Sequence, residues 1–203
     1  MRKAFEIGGI VAAVVLIAFG IGAIVMGING RSTVQSNLAQ EQITFGDASK
    51  DATVPAKYSG QLVNNGDKAR AFAKMMRVHT LEASNGLTYA EMGRFVAKAG
   101  TPAKLTDGQG GTSDPKYAAT DAKGAPVSNS ARDLWVTETA LTTALNTAYM
   151  AERVAVFGIV TGIALLLSGI GFAILAIGGA LRSKESGFEF VNRRTKTQAA
   201  PAA

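Results

Sequence analysis

A chain of 203 residues without a single cysteine can form no disulfide and offers no thiolate to catalysis or to a metal. Its net charge is +6 and its mean hydropathy mildly positive, yet no charged residue occurs from Ile7 to Gly30 or from Val154 to Leu181. Each of those runs exceeds the roughly 20 helical residues that cross a hydrocarbon core, and neither carries the ionisable group that a pump or proton relay needs.

In chain order, a short N-terminal segment (1–6) with Arg2 and Lys3 precedes the first apolar run. That run is longer than the about 7–15-residue core of a signal peptide, and no small-x-small cleavage site follows. It therefore predicts an uncleaved transmembrane helix over 7–30. Ala18/Gly22 and Ala23/Gly27 are small-x-x-x-small pairs that let another helix approach closely. Asn29-Gly30 reads as a kink, after which Val34, Leu38 and Ile43 form a weak apolar stripe. The stretch from Gly46 to Gly66, with Pro55, reads as a loop.

A helix is predicted from Asp67, a good N-cap, to the stop signal Asn85-Gly86. Phe72, Met75, Met76, His79 and Ala83 mark its inner face. Arg70, Lys74 and Arg77, at i, i+4 and i+7, mark the other, which is either solvated or turned to lipid headgroups or an acidic partner. His79 is the only histidine. On that face it reads first as a hydrogen-bonded packing residue, with pH sensing and ligand or metal binding as the sharper alternatives. No G-x-S-x-G accompanies it, so a hydrolase triad has no local support. Thr88 and Glu91 then form a capping box, with Leu87 and Met92 at the staple positions. Residues 100–129, rich in Gly, Asp, Pro, Lys and Thr without periodicity, predict a long exposed loop. Asp107, Asp114 and Asp121 in it do not have EF-hand spacing and suit turn chemistry.

The last helix is predicted to start at Ser130, capped with the help of Asp133. Leu134, Leu141, Leu145 and Ala148 recur on one face, widened by Ala140, Ala144 and Ala151, and Trp135 suits packing within the core. Nothing stops the helix before Val154, so the sequence predicts one helix running into a second transmembrane span, 154–181. Gly158 and Gly162 in that span form a GxxxG. Glu138, Tyr149 and Arg153, with Arg70, Lys74 and Arg77, are the candidate docking residues. A basic tail, 182–203, closes the chain.

The polar region between the spans, 31–153, holds 14 Lys+Arg against 12 Asp+Glu, which argues against nucleic acid as a partner. Basic residues flank the outer end of each span, Arg2 and Lys3 before the first and Arg182, Lys184, Arg193, Arg194 and Lys196 after the second. By the positive-inside rule both termini are expected in the cytoplasm, and the central domain is expected to be extracytoplasmic.

The stretches "NGRSTV", "MRVHTLEASNGLTYAEMGRF" and "LWVTETALTTALNTAYMAERVAVFGIVTGIALLLSGIGFAILA" resemble a family of uncharacterised two-span integral membrane proteins of actinobacteria, over residues 10–180. The resemblance implies the two-span topology and no activity.

The expected fold class is all-α, a two-helix transmembrane hairpin extended into a small extracytoplasmic helical bundle. The expected function is that of a non-enzymatic accessory or scaffold subunit without a cofactor, with the lipid bilayer and a homo-oligomer or membrane-protein complex as partners. The alternative is an extracytoplasmic ligand sensor acting through a separate signalling partner.

Overall fold

A computed structural model describes residues 2–106 and 110–178. These form three α-helices, α1 (Arg2–Gln40), α2 (Gly66–Ala83) and α3 (Ser130–Ile177), with four single 3-10 turns. Among the described residues there is no strand, only isolated β-bridges. The chain divides into two units. One is apolar and comprises α1 up to Gly27 and α3 from Phe157; the other, Ile28–Val156, is polar. The basic tail (182–203) and Asp107 lie outside the described residues.

In the apolar unit α1 and α3 run antiparallel along a seam of small residues. Ala13, Gly20 and Gly27, seven apart, are buried on α1; Gly162, Gly169 and Ala176, also seven apart, are buried on α3. The approach is so close that side chains are excluded. A Cβ on Gly20 would lie 2.7 Å from Leu166 N, and one on Gly162 would lie 2.7 Å from Gly20 O. The opposite faces are covered with large apolar side chains, among them Phe19, Met26, Phe157 and Leu167, all exposed. Only 17% of the most apolar window of either helix is buried, the reverse of a soluble core helix. Both helices are long and apolar enough to cross a membrane.

The polar unit has its own core. α1 contributes Leu38, α2 contributes Ala69, Ala73 and Met75, α3 contributes Leu145, and the segment between α1 and α2 contributes Phe45, Val54 and Val63. Phe45 stacks on Tyr58 and meets Phe72 edge-on, with ring centroids 5.3 Å apart in both pairs. Phe45 N–H donates to Gln61 O and Val63 N–H to Ile43 O, so the segment closes on itself and caps the core. The stripe Val34, Leu38 and Ile43 packs there, and α1 is uninterrupted through Asn29-Gly30.

Several local expectations need correction. The N-cap of α2 is Asn65, whose side chain accepts from Lys68 N–H at 3.0 Å; Asp67 lies two residues further in, within the first turn, and is drawn to Arg153. The cap of α3 is Asn129 rather than Ser130: its Oδ1 accepts from Ala131 N–H, and its carbonyl from Arg132 and Asp133 N–H. Its Nδ2 meanwhile donates to Gly93 O and Gly110 O. Of the expected inner face of α2, Met75 is buried, whereas Ala83 is exposed and His79 only half-buried.

The stretch 100–129 is not an open loop. Phe95 and Thr112 exchange both backbone bonds at 2.9 Å, Val96 pairs with Ala119 and Val127, and Lys98 N–H donates to Tyr117 O. Among the described residues, Thr112 and Met92 are two of the most deeply buried. The short element at Thr88 is a single 3-10 turn, Tyr89–Glu91, in which the Glu91 carboxylate accepts from Thr88 N–H at 2.7 Å. That bond holds the Glu91 carboxyl below its ordinary range.

Candidate functional site

Arg31, Asp67, Arg70, Glu152 and Arg153 come together where α1, α2 and α3 meet. Glu152 of α3 is buried and central there. Its carboxylate accepts from Arg31 Nε at 2.9 Å, from Gln35 Nε2 at 3.0 Å and from the backbone N–H of Gly66. An acid at that position satisfies one of the free amides that begin α2 and lies at the positive end of the helix. Gly66 permits the approach, since a Cβ there would stand 2.9 Å from Tyr149 Cα and 2.8 Å from Glu152 Oε2. Burial pushes the Glu152 carboxyl up, but the bonds from Arg31, Gly66 and Gln35 and the Arg31 charge outweigh it, and the net shift is downward.

Beside it, Arg153 pairs with Asp67 and lies 5.0 Å over the Tyr149 ring, while Arg70 lies 4.7 Å over the same ring. The two guanidiniums, Arg70 foremost, hold the Tyr149 hydroxyl below the usual phenol range. Further along α2, Arg77 lies 4.1 Å over Trp135 and reaches Glu138 at 3.4 Å. Glu138 is buried, and its Oε1 has no hydrogen-bond partner.

The six candidate docking residues therefore separate. Tyr149, Arg153 and Arg70 come together, Lys74 is exposed one turn beyond Arg70, and Arg77 is spent on Glu138 and Trp135. Glu138 is only 2% exposed and cannot meet a partner directly. Of the six small residues, Gly27 is buried, Ala23 and Gly158 face each other across the seam and Gly162 fills its centre. Ala18 and Gly22 are exposed, and a Cβ on Gly22 would meet nothing within 4 Å.

His79 Nε2 lies 2.7 Å from Thr53 Oγ1 and 3.0 Å from Asp51 Oδ2. A hydrolytic triad needs the hydroxyl and the carboxylate on opposite ring nitrogens; here both meet one. The bonds from Thr53, and then His79, hold the Asp51 carboxyl below its ordinary value. Among the described residues, no three His, Asp or Glu side chains are placed to hold a metal.

Sequence reasoning missed Glu152, Arg31 and Lys57. The first two had a signal: Arg31 is the first charge after one uncharged run and Glu152 lies two residues before the other. In an antiparallel hairpin those flanks must meet. Lys57, in the segment between α1 and α2, had none. No protein family, curated protein or solved structure matches this chain.

Proposed function

We propose that this chain is a two-span integral membrane protein, with both termini cytoplasmic and its polar unit an extracytoplasmic helical bundle that acts as a scaffold. One observation carries the reading. Between Glu138 and Glu152, α3 has no charged residue, and Ala140, Thr143, Ala144, Thr147, Met150 and Ala151 are exposed there. A long uncharged helical face in water suits another helix better than solvent. A second copy is the natural occupant. Copies inserted with the same orientation present α3 to α3 in parallel, and no like charges then oppose each other along the face. On α1, Ala18 and Gly22 lie outside the intramolecular seam and supply a second close-packing surface.

The absence of cysteine makes both parts testable. A single Cys at Thr147 is expected to yield disulfide-linked dimers on mild oxidation of membranes, whereas one at Ser113, exposed in the 110–129 layer, is not. In mild detergent the protein should also migrate well above its 21.0 kDa chain mass. Failure to crosslink, together with a monomer in detergent and in nanodiscs, would rule out the scaffold.

Topology is read with the same reagents. Cys at Ser113 should react with a membrane-impermeant maleimide in intact cells, and Cys at Ser186 only after the membrane is opened. The opposite pattern reverses the orientation, and labelling of both in intact cells removes the two-span arrangement.

A sensor is the second reading, favoured by an open cavity of about 420 Å³ lined by Leu87, Met92, Val96 and Asn129. That size is in the range of small-molecule sites. A small molecule that raises the melting temperature of a monomeric protein would select it.

A further inference from the structure

We propose that the cavity beside α2 binds a phosphate-bearing anion through Lys57, Arg70 and Lys74. The cavity is open, about 630 Å³ in volume, and is also lined by Tyr58 and Asp67. Its charge is unbalanced. Among the described residues none of the three cations has a carboxylate partner, and Asp67, the one acid in the wall, is already taken by Arg153. Arg70 and Lys74 are one turn apart on the same helix, a spacing at which like charges repel. Aromatic faces hold two of the cations in place: Lys57 Nζ is 4.6 Å from the Tyr58 ring centroid, and Arg70 lies over Tyr149. One planar guanidinium and two ammonium groups around a common space match the oxygens of a phosphate, the guanidinium bidentately and the ammoniums as point charges.

Two sources can supply that group, a lipid headgroup or a soluble phosphate. Arg153 is the last charge before the uncharged run that begins at Val154, and it shares the Tyr149 ring with Arg70. Arg70 is thus the cation placed beside the residues at which α3 passes into its uncharged run, and in the proposed topology it is the one that would meet an anionic phospholipid first. The anion site depends on the polar unit alone; the lipid source also depends on the topology proposed above.

The test uses the full-length protein in nanodiscs of phosphatidylcholine or phosphatidylglycerol, with lipid retention read by native mass spectrometry. Inorganic phosphate is added to the phosphatidylcholine sample, with the melting temperature as readout. Wild type should retain phosphatidylglycerol over phosphatidylcholine, and the R70Q/K74Q variant should lose that preference by about tenfold or more. K123Q, on an exposed turn away from the cavity, should keep it. Both α2 side chains are exposed, so R70Q/K74Q should melt like wild type in phosphatidylcholine. Retention by wild type should also fall as salt is raised, an observation that needs no variant. If phosphate but not phosphatidylglycerol acts, and acts through Arg70 and Lys74, the site holds and its ligand is soluble. If neither acts, or if both act equally on R70Q/K74Q, the proposal is overturned.

Discussion

Leucine at Gly162 is expected to lower the melting temperature in detergent by about 10 °C, while leucine at Gly22 changes it by no more than about 2 °C. The two positions are both glycines in apolar helices and differ in what surrounds them. At Gly162 even a Cβ would stand 2.7 Å from the Gly20 carbonyl and 2.9 Å from Ile24 N. Those neighbours are main chain and cannot rotate away, so α1 and α3 must separate. Overpacking that shifts backbone costs about 3 kcal/mol. The loss propagates, because a helix pair in lipid gains nothing from hiding apolar surface and depends on close contact along the seam. At Gly22 no atom lies within 4 Å of a Cβ, so a leucine there points outward. Thermal unfolding followed by circular dichroism reads both. Equal tolerance would mean the seam does not exist, and equal damage would mean the outer face of α1 is also packed within the chain.

Removing the carboxylate of Glu152 is expected to cost about 2 kcal/mol, chiefly because the buried Gly66 amide loses its acceptor, while the half-exposed Arg31 guanidinium regains water. Glutamine, which keeps one acceptor oxygen but no charge, should cost less. Acid provides a second handle. The folded Glu152 carboxyl titrates below its ordinary value of 4.5, so the unfolded chain takes up its proton first as pH falls. The stabilisation is complete above the unfolded value and disappears as pH drops through the folded one. Wild type should therefore lose stability more steeply below about pH 4.5 than Glu152→Gln does. Parallel acid limbs would show that the Arg31–Glu152 pair adds nothing in solution.

The elements that depend on neighbours in sequence were legible, and those that depend on distant ones were not. Charge-free runs and helical spacing located α1, α2 and α3, because membrane-length apolarity and side-chain periodicity are written locally. The cap of α2 was misplaced by two residues, since Asn65 and Asp67 are both good caps and only the meeting of Asp67 with Arg153 decides between them. The 100–129 region looked unstructured because main-chain bonds between Phe95 and Thr112, or Val96 and Val127, leave no side-chain pattern. Glu138 looked like a surface acid. Its burial follows from Arg77 and Trp135 closing over it across two helices, a crossing that periodicity within either helix does not reveal. The anion cavity needs Lys57 from one segment and Arg70 and Lys74 from another, so only folding assembles it.

The separation of paired residues along the chain has a consequence for biosynthesis. Arg31 is 121 residues from Glu152, and at about 5–20 residues per second a ribosome takes roughly 6–24 s to cover that distance. In the proposed topology α1 enters the bilayer long before α3 exists, with Ala13, Gly20 and Gly27 facing lipid. During that interval the half-seam is open to any small-faced helix, above all to the α3 of a copy further along the same message. A swapped pair formed in this way would satisfy the same backbone contacts between two chains. Slower translation of the 31–153 segment should therefore raise the yield of exchanged dimers without a change in sequence.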